Sequence, residues 1–257
     1  MKKMIIAAVL FSTCAVFAEV KVETVEYKQG DTVCEGYLAY DDAHKDPRPG
    51  VLVVHDWMGN GAFSKKKAED LAALGYVAFA ADIYGKVNRA KDAGEAAKLA
   101  GQYKGDRVLL RARVNAALDA LKASPKVDPK HLAAMGFCFG GTTALELARS
   151  GTDVAGIVSF HGGLNSPTPA DAKNIKGKLL ILHGADDPFV KPDEAAAFKK
   201  EMDDANVTYK FIAYPGAVHG FTNHAAGSDN SKGAAYNEAA DKASWEEMKT
   251  FFAEVLK

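Results

Sequence analysis

The sequence is poor in cysteine, with only three in 257 residues, and this scarcity excludes a small fold held together by disulfides. It also has no excess of basic residues, since 32 Lys and Arg face 33 Asp and Glu and the formal net charge is −1. No run of like charge exceeds the triplet at 65–67. This charge pattern does not predict a nucleic-acid partner. Internal repeats, low-complexity tracts and long linkers are also missing, so we predict a single domain over residues 19–257.

Long apolar runs are scarce as well, and the one near the start is short. Residues 4–10 are apolar, follow Lys2 and Lys3, and precede small residues at positions 16 and 18. The run is too short to cross a membrane, and the pattern is typical of a signal peptide. We predict a signal peptide of residues 1–18, cleaved after Ala18, and a periplasmic or secreted protein without a membrane partner. Acylation at Cys14 is the alternative, but the residues before this cysteine fit a lipoprotein signal poorly.

What the chain does contain is an alternation of strands and helices. Strands are predicted at residues 20–27, 32–40, 51–54, 76–81, 131–137, 154–160, 179–183 and 207–214. Helices are predicted at residues 64–74, 93–102, 108–123, 141–150, 192–204 and 232–256. This order indicates an α/β fold with a mostly parallel sheet, helices on both faces and an antiparallel hairpin at the N-terminus. The segment 164–178, where related folds insert a lid, is too short for a cap domain.

A nucleophile is predicted at Cys138. It lies between a predicted strand and a predicted helix, with glycines at positions 136, 140 and 141. In a turn of the form G-x-nucleophile-x-G the nucleophile adopts a strained backbone conformation, and the glycines let strand and helix approach closely. The N-terminus of the following helix favours a thiolate. Cys138 as a small buried core residue is the alternative, but the three glycines favour the nucleophile.

The partners of this nucleophile are predicted at later strand ends. Asp186 and Asp187 follow the strand at 179–183, and either is a candidate for the acid that orients the base. Both are also residue types that stabilise local turns. His219, after the last strand, is the candidate general base. The order of nucleophile, acid and base along the chain is that of hydrolases with such a turn.

Another strand end supplies candidate oxyanion donors. Residues 55–59 follow the apolar run at 51–54, and a loop at this place normally gives one backbone N–H to the oxyanion hole. The residue after the nucleophile gives the other. These donors are Trp57 and Phe139. The apolar side chains predicted to line a substrate pocket are Met58, Tyr84 and Phe221.

These residues resemble the dienelactone hydrolase (carboxymethylenebutenolidase) family of the α/β-hydrolase superfamily. The motifs that carry the resemblance lie at residues 55–59, 81–85, 136–141, 184–190 and 219–221, and the similarity covers roughly residues 30–256. The resemblance implies an α/β-hydrolase fold, with Cys138 as nucleophile, Asp187 rather than Asp186 as acid and His219 as base. It also implies that Asp56 contacts the resting thiol and helps to form the thiolate.

The chain departs from the family pattern at two places. The family usually has Glu where this chain has Asp56, which is one methylene shorter, so a looser or water-bridged contact with the thiol is expected. Well-known members carry an Arg shortly after the catalytic His, where it binds a substrate carboxylate, but residues 221–224 contain none. Arg89, Lys86 and Lys191 are the candidate replacements.

We therefore predict a hydrolase of small activated esters or lactones that works through a Cys–His–Asp triad and an acyl-thioester. A thiolate leaves easily, so good leaving groups on the substrate are favoured and amides are disfavoured. No cofactor is predicted. The histidines at 161, 183 and 224 match no metal-ligand spacing, so no metal is predicted and hydrogen-bonded loop positions are expected. The expected partner is a small-molecule substrate, and the chain is expected to be a monomer or a small homo-oligomer.

Two alternatives stay open at this point. One is a peptidase or acyl-aminoacyl hydrolase of the same fold, against which the Cys nucleophile and the missing cap weigh. The other is a non-catalytic exported protein in which Cys34 and Cys138 form a disulfide. That bond requires Cα atoms within about 7 Å of each other, whereas we place Cys34 on an edge strand and Cys138 at the centre of the sheet.

Overall fold

The computed structural model describes residues 19–257, so the predicted signal peptide, its cleavage site and Cys14 lie outside the described residues. The strands are β1 (Val20–Gln29), β2 (Thr32–Asp41), β3 (Arg48–Val54), β4 (Val77–Ala81), β5 (Val127–Phe137), β6 (Gly156–Phe160), β7 (Lys178–Gly184) and β8 (Tyr209–Tyr214). The α-helices are α1 (Ala62–Ala73), α2 (Ala93–Gly105), α3 (Arg107–Lys122), α4 (Phe139–Arg149), α5 (Pro192–Asp204) and α6 (Glu238–Val255).

The strands form one eight-stranded sheet in the order β1-β2-β4-β3-β5-β6-β7-β8. The pairs β1/β2 and β2/β4 are antiparallel and the other pairs are parallel. This confirms the predicted α/β class and the N-terminal hairpin. Helices cover both faces: Leu52 and Val54 of β3 belong to one core cluster with residues of α2 to α5, and Val51 and Val53 belong to the other with residues of α1 and α6. Because both faces are buried, β3 is a continuous apolar run rather than an alternating one.

The structure corrects several predicted boundaries. β5 begins at Val127 rather than at 131, and its pairing with β3 shifts register at Pro49/Gly50. The last helix begins at Glu238 rather than at 232, because a short 3-10 helix ends at Lys232 and the Asn237 side chain caps α6. Cys34, predicted on an edge strand, lies on β2, which has β1 on one side and β4 on the other.

The carboxyl ends of the parallel strands gather the predicted site residues at one edge of the sheet. Asp56 follows β3, Cys138 follows β5, Asp187 follows β7 and His219 follows β8. Only residues 161–177 separate β6 from β7, with one 3-10 helix among them. This confirms that no cap domain covers the site at that position.

Candidate active site

Cys138 sits on a sharp turn between β5 and α4. Its backbone has φ 54° and ψ −114°, a conformation that side-chain-bearing residues rarely adopt. Its carbonyl accepts hydrogen bonds from the N–H groups of Gly141 and Thr142 at 3.0 and 3.2 Å, which starts the helix. The residue is half-buried, so the thiol is presented at a surface rather than sealed in the core.

The turn needs glycine because backbone passes against backbone there. A Cβ on Gly136 would lie 2.0 Å from the Gly140 carbonyl oxygen, and a Cβ on Gly140 would lie 2.2 Å from the Val54 carbonyl oxygen. Both contacts are with main-chain atoms, which cannot rotate away. The glycines that flank Cys138 are therefore required by the packing of α4 against β3 and β5.

We expect Gly136→Ala to lower the free energy of unfolding by about 3 kcal/mol or more. The added Cβ would clash with backbone atoms of Gly140, and no side chain can rotate to relieve the clash. Gly105→Ala is the matched control, because a Cβ at the end of α2 meets nothing within 4 Å. Removing a helical glycine there should raise stability by about 0.5 kcal/mol. Urea unfolding of both variants checks this, and equal stabilities would contradict the packing argument.

The imidazole of His219 is held by a buried carboxylate. Its Nδ1 lies 2.8 Å from Oδ2 of Asp187, and the other carboxylate oxygen accepts the Phe189 N–H at 2.8 Å. Asp187 is 6% exposed, whereas Asp186 is exposed to solvent. The geometry thus pairs His219 with Asp187, as the resemblance implied, and leaves Asp186 outside the site.

The surroundings of His219 favour its charged form. Burial lowers its pKa, but hydrogen bonds and charge from Asp187 and Cys138 outweigh burial and raise the pKa to about 10. The buried acid pairs with the imidazole, and Cys138 lines the same two cavities as His219.

Two backbone N–H groups stand free beside the thiol. Within residues 19–257, neither the Trp57 N–H nor the Phe139 N–H donates to a protein group. The Trp57 loop is fixed from below by the neutral His55, whose pKa is lowered by burial. His55 Nδ1–H donates to the Asp56 carbonyl at 2.6 Å, and its Nε2 accepts the Ile83 N–H at 3.2 Å. Unpaired donors held by a rigid shell are what an oxyanion hole requires.

Asp56 lines the same cavity as Cys138, but its oxygens are turned to other groups. Oδ1 accepts the Met58 N–H at 2.8 Å, and Oδ2 lies 3.5 Å from the Asn223 side-chain amide. In the described part of the chain no direct hydrogen bond joins Asp56 to the thiol. Burial raises the pKa of Asp56, although the Met58 N–H acts in the opposite direction. The shorter acid therefore shares a cavity with the thiol but, among the described residues, makes no hydrogen bond to it.

Sequence reasoning gave no role to His161, which the structure places directly under the Cys138 turn. It follows β6, is 2% exposed, and its Nδ1 accepts the Cys138 N–H at 3.1 Å. The only available signal was its place at a strand end next to the turn. His161 is hydrogen-bonded as expected, whereas His183 lies on β7 against Phe211 and His224 stacks on Tyr236.

Cys138 lies where two cavities meet. The smaller, about 310 Å³, is walled by Asp56, Met58, Phe63, Phe137, His161, Gly220, Asn223, Ala225 and Ala226. The larger, about 570 Å³, is walled by Ala97, Ala100, Gly101, Lys104, Phe139, Gly163, Phe189, Val190 and Lys232. Both share Trp57, Cys138, His219 and Ala234. A substrate carbonyl above the sulfur can therefore extend one substituent into each cavity.

Two of the predicted pocket residues belong to the core instead. Tyr84 is 1% exposed because it packs between His55 and Phe139 and donates its hydroxyl to the Trp57 carbonyl at 3.0 Å. Phe221 is fully buried against His161. Met58, by contrast, is 40% exposed and lines the smaller cavity as predicted.

The cations suggested from the sequence as carboxylate ligands lie elsewhere. Lys86 pairs with two glutamates and Arg89 with Asp82, while Lys191 lines a separate groove. The basic side chains of the larger cavity are Lys104 and Lys232, which sequence reasoning did not identify. Among residues 19–257, no group of three or more His, Cys, Asp or Glu is arranged to hold a metal ion.

Cys34 and Cys138 are both free thiols. Cys34 is buried on β2 and accepts a hydrogen bond from the Arg113 guanidinium at 3.1 Å. The alternative in which these two cysteines form a disulfide is therefore wrong for this structure. No helix within the described range is long and apolar enough for a membrane span.

Comparison with known sequences gives a consistent result. The model of the dienelactone hydrolase family matches residues 34–256. Protein usf of Aquifex pyrophilus is 31% identical over 240 residues, which cover 91% of this chain and 99% of that protein.

Comparison with solved structures extends this. The crystal structure of a dienelactone hydrolase-like promiscuous phosphotriesterase from metagenomic libraries matches with a TM-score of 0.89 at 40% sequence identity, covering 93% of this chain and 99% of that one. An acylaminoacyl peptidase of Pyrococcus horikoshii matches with a TM-score of 0.68 at 14% identity, covering 93% of this chain and 42% of that one. At such low identity the second likeness shows the shared fold alone.

Proposed function

Because the chain belongs to the dienelactone hydrolase family and is a carboxylic ester hydrolase with the α/β-hydrolase fold, we propose that it cleaves small activated esters or lactones through a thioester on Cys138. One observation carries the proposal: a half-buried thiol on a strained turn lines the same two cavities as an imidazole that is paired with the buried Asp187. Nucleophile, base and orienting acid in this arrangement are the requirements for covalent acyl transfer.

The first half of the reaction acylates the sulfur. The Cys138 proton passes to Nε2 of His219, and the thiolate attacks the substrate carbonyl. The resulting oxyanion accepts hydrogen bonds from the N–H groups of Trp57 and Phe139. Neither N–H donates to another group of the described chain. The imidazolium then donates its proton to the departing alcohol as the C–O bond breaks, and the acyl group remains on sulfur.

The second half hydrolyses the thioester. Neutral His219 takes a proton from water, the hydroxide attacks the thioester carbonyl, and the C–S bond breaks with release of the acid. The thiolate and imidazolium are restored together, which the raised pKa of His219 favours. Asp56, whose pKa is raised by burial, lines the same cavity but has its oxygens on the Met58 N–H and the Asn223 amide, so it takes no direct part in these proton transfers.

The two cavities limit the substrate class. Both are of the size that small ligands occupy, and the larger is walled mainly by small and apolar side chains such as Ala97, Gly101 and Val190. Thiolate expulsion favours substrates with good leaving groups. Activated esters, enol lactones and thioesters with a modest apolar group on one side fit these conditions best.

The direct test is to trap the acyl-enzyme. Mixing the protein with excess p-nitrophenyl acetate and quenching in acid should add one acetyl group to the intact mass, located on Cys138 by peptide mapping. Hydroxylamine treatment should remove it, as expected for a thioester. If the protein hydrolyses p-nitrophenyl acetate at its normal rate but the acetyl group is found on another residue, or on none, the proposal is contradicted.

A peptidase function is the competing candidate, and the same preparation separates the two. An amide leaving group is worse than the thiolate, so a peptide p-nitroanilide should be turned over far more slowly than the corresponding p-nitrophenyl ester. Comparable rates on both substrates would favour the peptidase.

A further inference from the structure

We propose that His161 is a positioning residue that joins the nucleophile turn to the loop of the base through Thr222. The contacts form a continuous bridge. The Cys138 N–H is shared between the Phe160 carbonyl at 3.0 Å and Nδ1 of His161 at 3.1 Å. Nε2 of His161 lies 2.9 Å from the hydroxyl oxygen of Thr222, which is three residues after His219.

The bridge fixes one tautomer of the His161 ring. A backbone N–H can only donate, so Nδ1 accepts and the ring proton is on Nε2, from which it is donated to the Thr222 oxygen. The opposite tautomer would set two N–H donors against each other at Cys138. Burial, together with the charge of His219, holds the pKa of His161 well below its ordinary value and keeps the ring neutral. The Cys138 N–H thereby selects the tautomer of His161, and the Thr222 hydroxyl accepts the proton that this tautomer carries on Nε2.

The same ring also separates the nucleophile from the base loop at a set distance. It packs edge-on against His219 and Phe221, with ring centroids 5.2 and 5.1 Å away. The backbone of His161 has φ 41°, a left-handed conformation that costs free energy for a residue with a ring. His161 and Thr222 are each 2% exposed, so water does not compete for the bridge. Errors of about 1 Å in placing reacting groups cost about 100-fold in rate.

Substitutions divide the bridge into its two halves. In His161→Asn the amide oxygen takes roughly the place of Nδ1 and keeps an acceptor for the Cys138 N–H, and Asn tolerates a positive φ. In His161→Gln the amide lies nearer the place of Nε2. The hydrogen bond to Thr222 is therefore kept, and the acceptor for the Cys138 N–H is lost. Thr222→Val keeps the shape and removes the oxygen. Ser244→Ala is the control, because Ser244 is a buried hydrogen-bonded residue of α6 with no link to the site.

The experiment measures kcat and KM for an activated ester, thermal stability, and the rate of Cys138 alkylation by iodoacetamide against pH. We expect Thr222→Val and His161→Gln to lower kcat about 10- to 100-fold with KM little changed. Their alkylation at neutral pH should also slow, since the thiol and His219 are no longer held together. His161→Asn should retain more of kcat than His161→Gln, and Ser244→Ala should retain all of it.

Two results would overturn the bridge. One is a loss of kcat that depends only on the loss of thermal stability. In that case a plot of kcat against melting temperature would place Ser244→Ala on the same line as the site variants. The other is an unchanged kcat in Thr222→Val, which decides the matter even if a His161 variant fails to fold. The inference rests on the proposed function for its turnover readout, but the two fail separately. If the wild type forms an acetyl-thioester on Cys138 but Thr222→Val has unchanged kinetics, the proposed function is supported and the proposed role of His161 is wrong.

Discussion

Cys138→Ala should abolish ester hydrolysis, with kcat/KM falling by at least about 1,000-fold to the level that binding and the oxyanion donors alone supply. The reason is chemical rather than structural: alanine keeps the Cβ of the turn and removes the atom that forms the acyl bond. The variant should fold normally, because Cys138 is half-buried and its backbone contacts are unchanged. Steady-state hydrolysis of p-nitrophenyl acetate measures the loss.

The matched control for this experiment is the other thiol of the described chain. Cys34→Ser keeps a hydrogen-bond acceptor for Arg113 and removes the one thiol other than Cys138 among residues 19–257. We expect full esterase activity in Cys34→Ser, together with one rapidly alkylated thiol in the native state. If Cys138→Ala hydrolyses the ester as the wild type does, the assignment of the nucleophile is wrong.

Asp187→Asn should have the second largest effect. The amide can donate to Nδ1 of His219, which favours the wrong tautomer, and it removes the carboxylate that stabilises the imidazolium. In serine hydrolases the corresponding change costs about 10,000-fold in kcat, and we expect a loss of about 1,000- to 10,000-fold here. Asp186→Asn is the control, because Asp186 is exposed and makes no contact with His219. Equal losses in the two variants would contradict the pairing.

The pH dependence of stability gives an independent check on this pair. The pKa of His219 is raised from 6.5 to about 10 in the folded protein, so folding binds a proton and the resulting stabilisation is complete below pH 6.5. It is lost as the pH rises from 6.5 to about 10. Asp187→Asn removes the carboxylate that contributes to the raised pKa of His219. The stability difference between wild type and variant should therefore narrow steadily over this pH range, as urea unfolding at several pH values would show.

The fold was predictable because its signal is repeated along the chain. Apolar runs such as the one in β3 are buried on both faces, and each alternates with a helix, so errors at single boundaries did not alter the class. The boundaries that failed depend on distant contacts. The start of β5 follows from its pairing with Arg48 and Pro49, and the start of α6 follows from an Asn cap after two short turns. Neither is visible in local periodicity.

The site shows the same division. Hydrophobicity alone did not distinguish Met58, which lines a cavity, from Tyr84 and Phe221, which fill the core. Lys104 and Lys232 are far apart in sequence, and only the packing of α2 beside the loop before α6 brings them to one cavity.

The sequence by itself determined the class of fold, the place of Cys138 on a strand–turn–helix and the chain order of its candidate partners, because strand–turn–helix geometry and the glycines around Cys138 are local properties. Tertiary structure put Asp187 rather than Asp186 against His219, as the resemblance had implied, and it alone turned the Asp56 oxygens to Met58 and Asn223 and placed His161 beneath the turn. Those facts depend on the relative positions of separate strand ends, and such positions are set by the packing of the whole sheet rather than by any one segment.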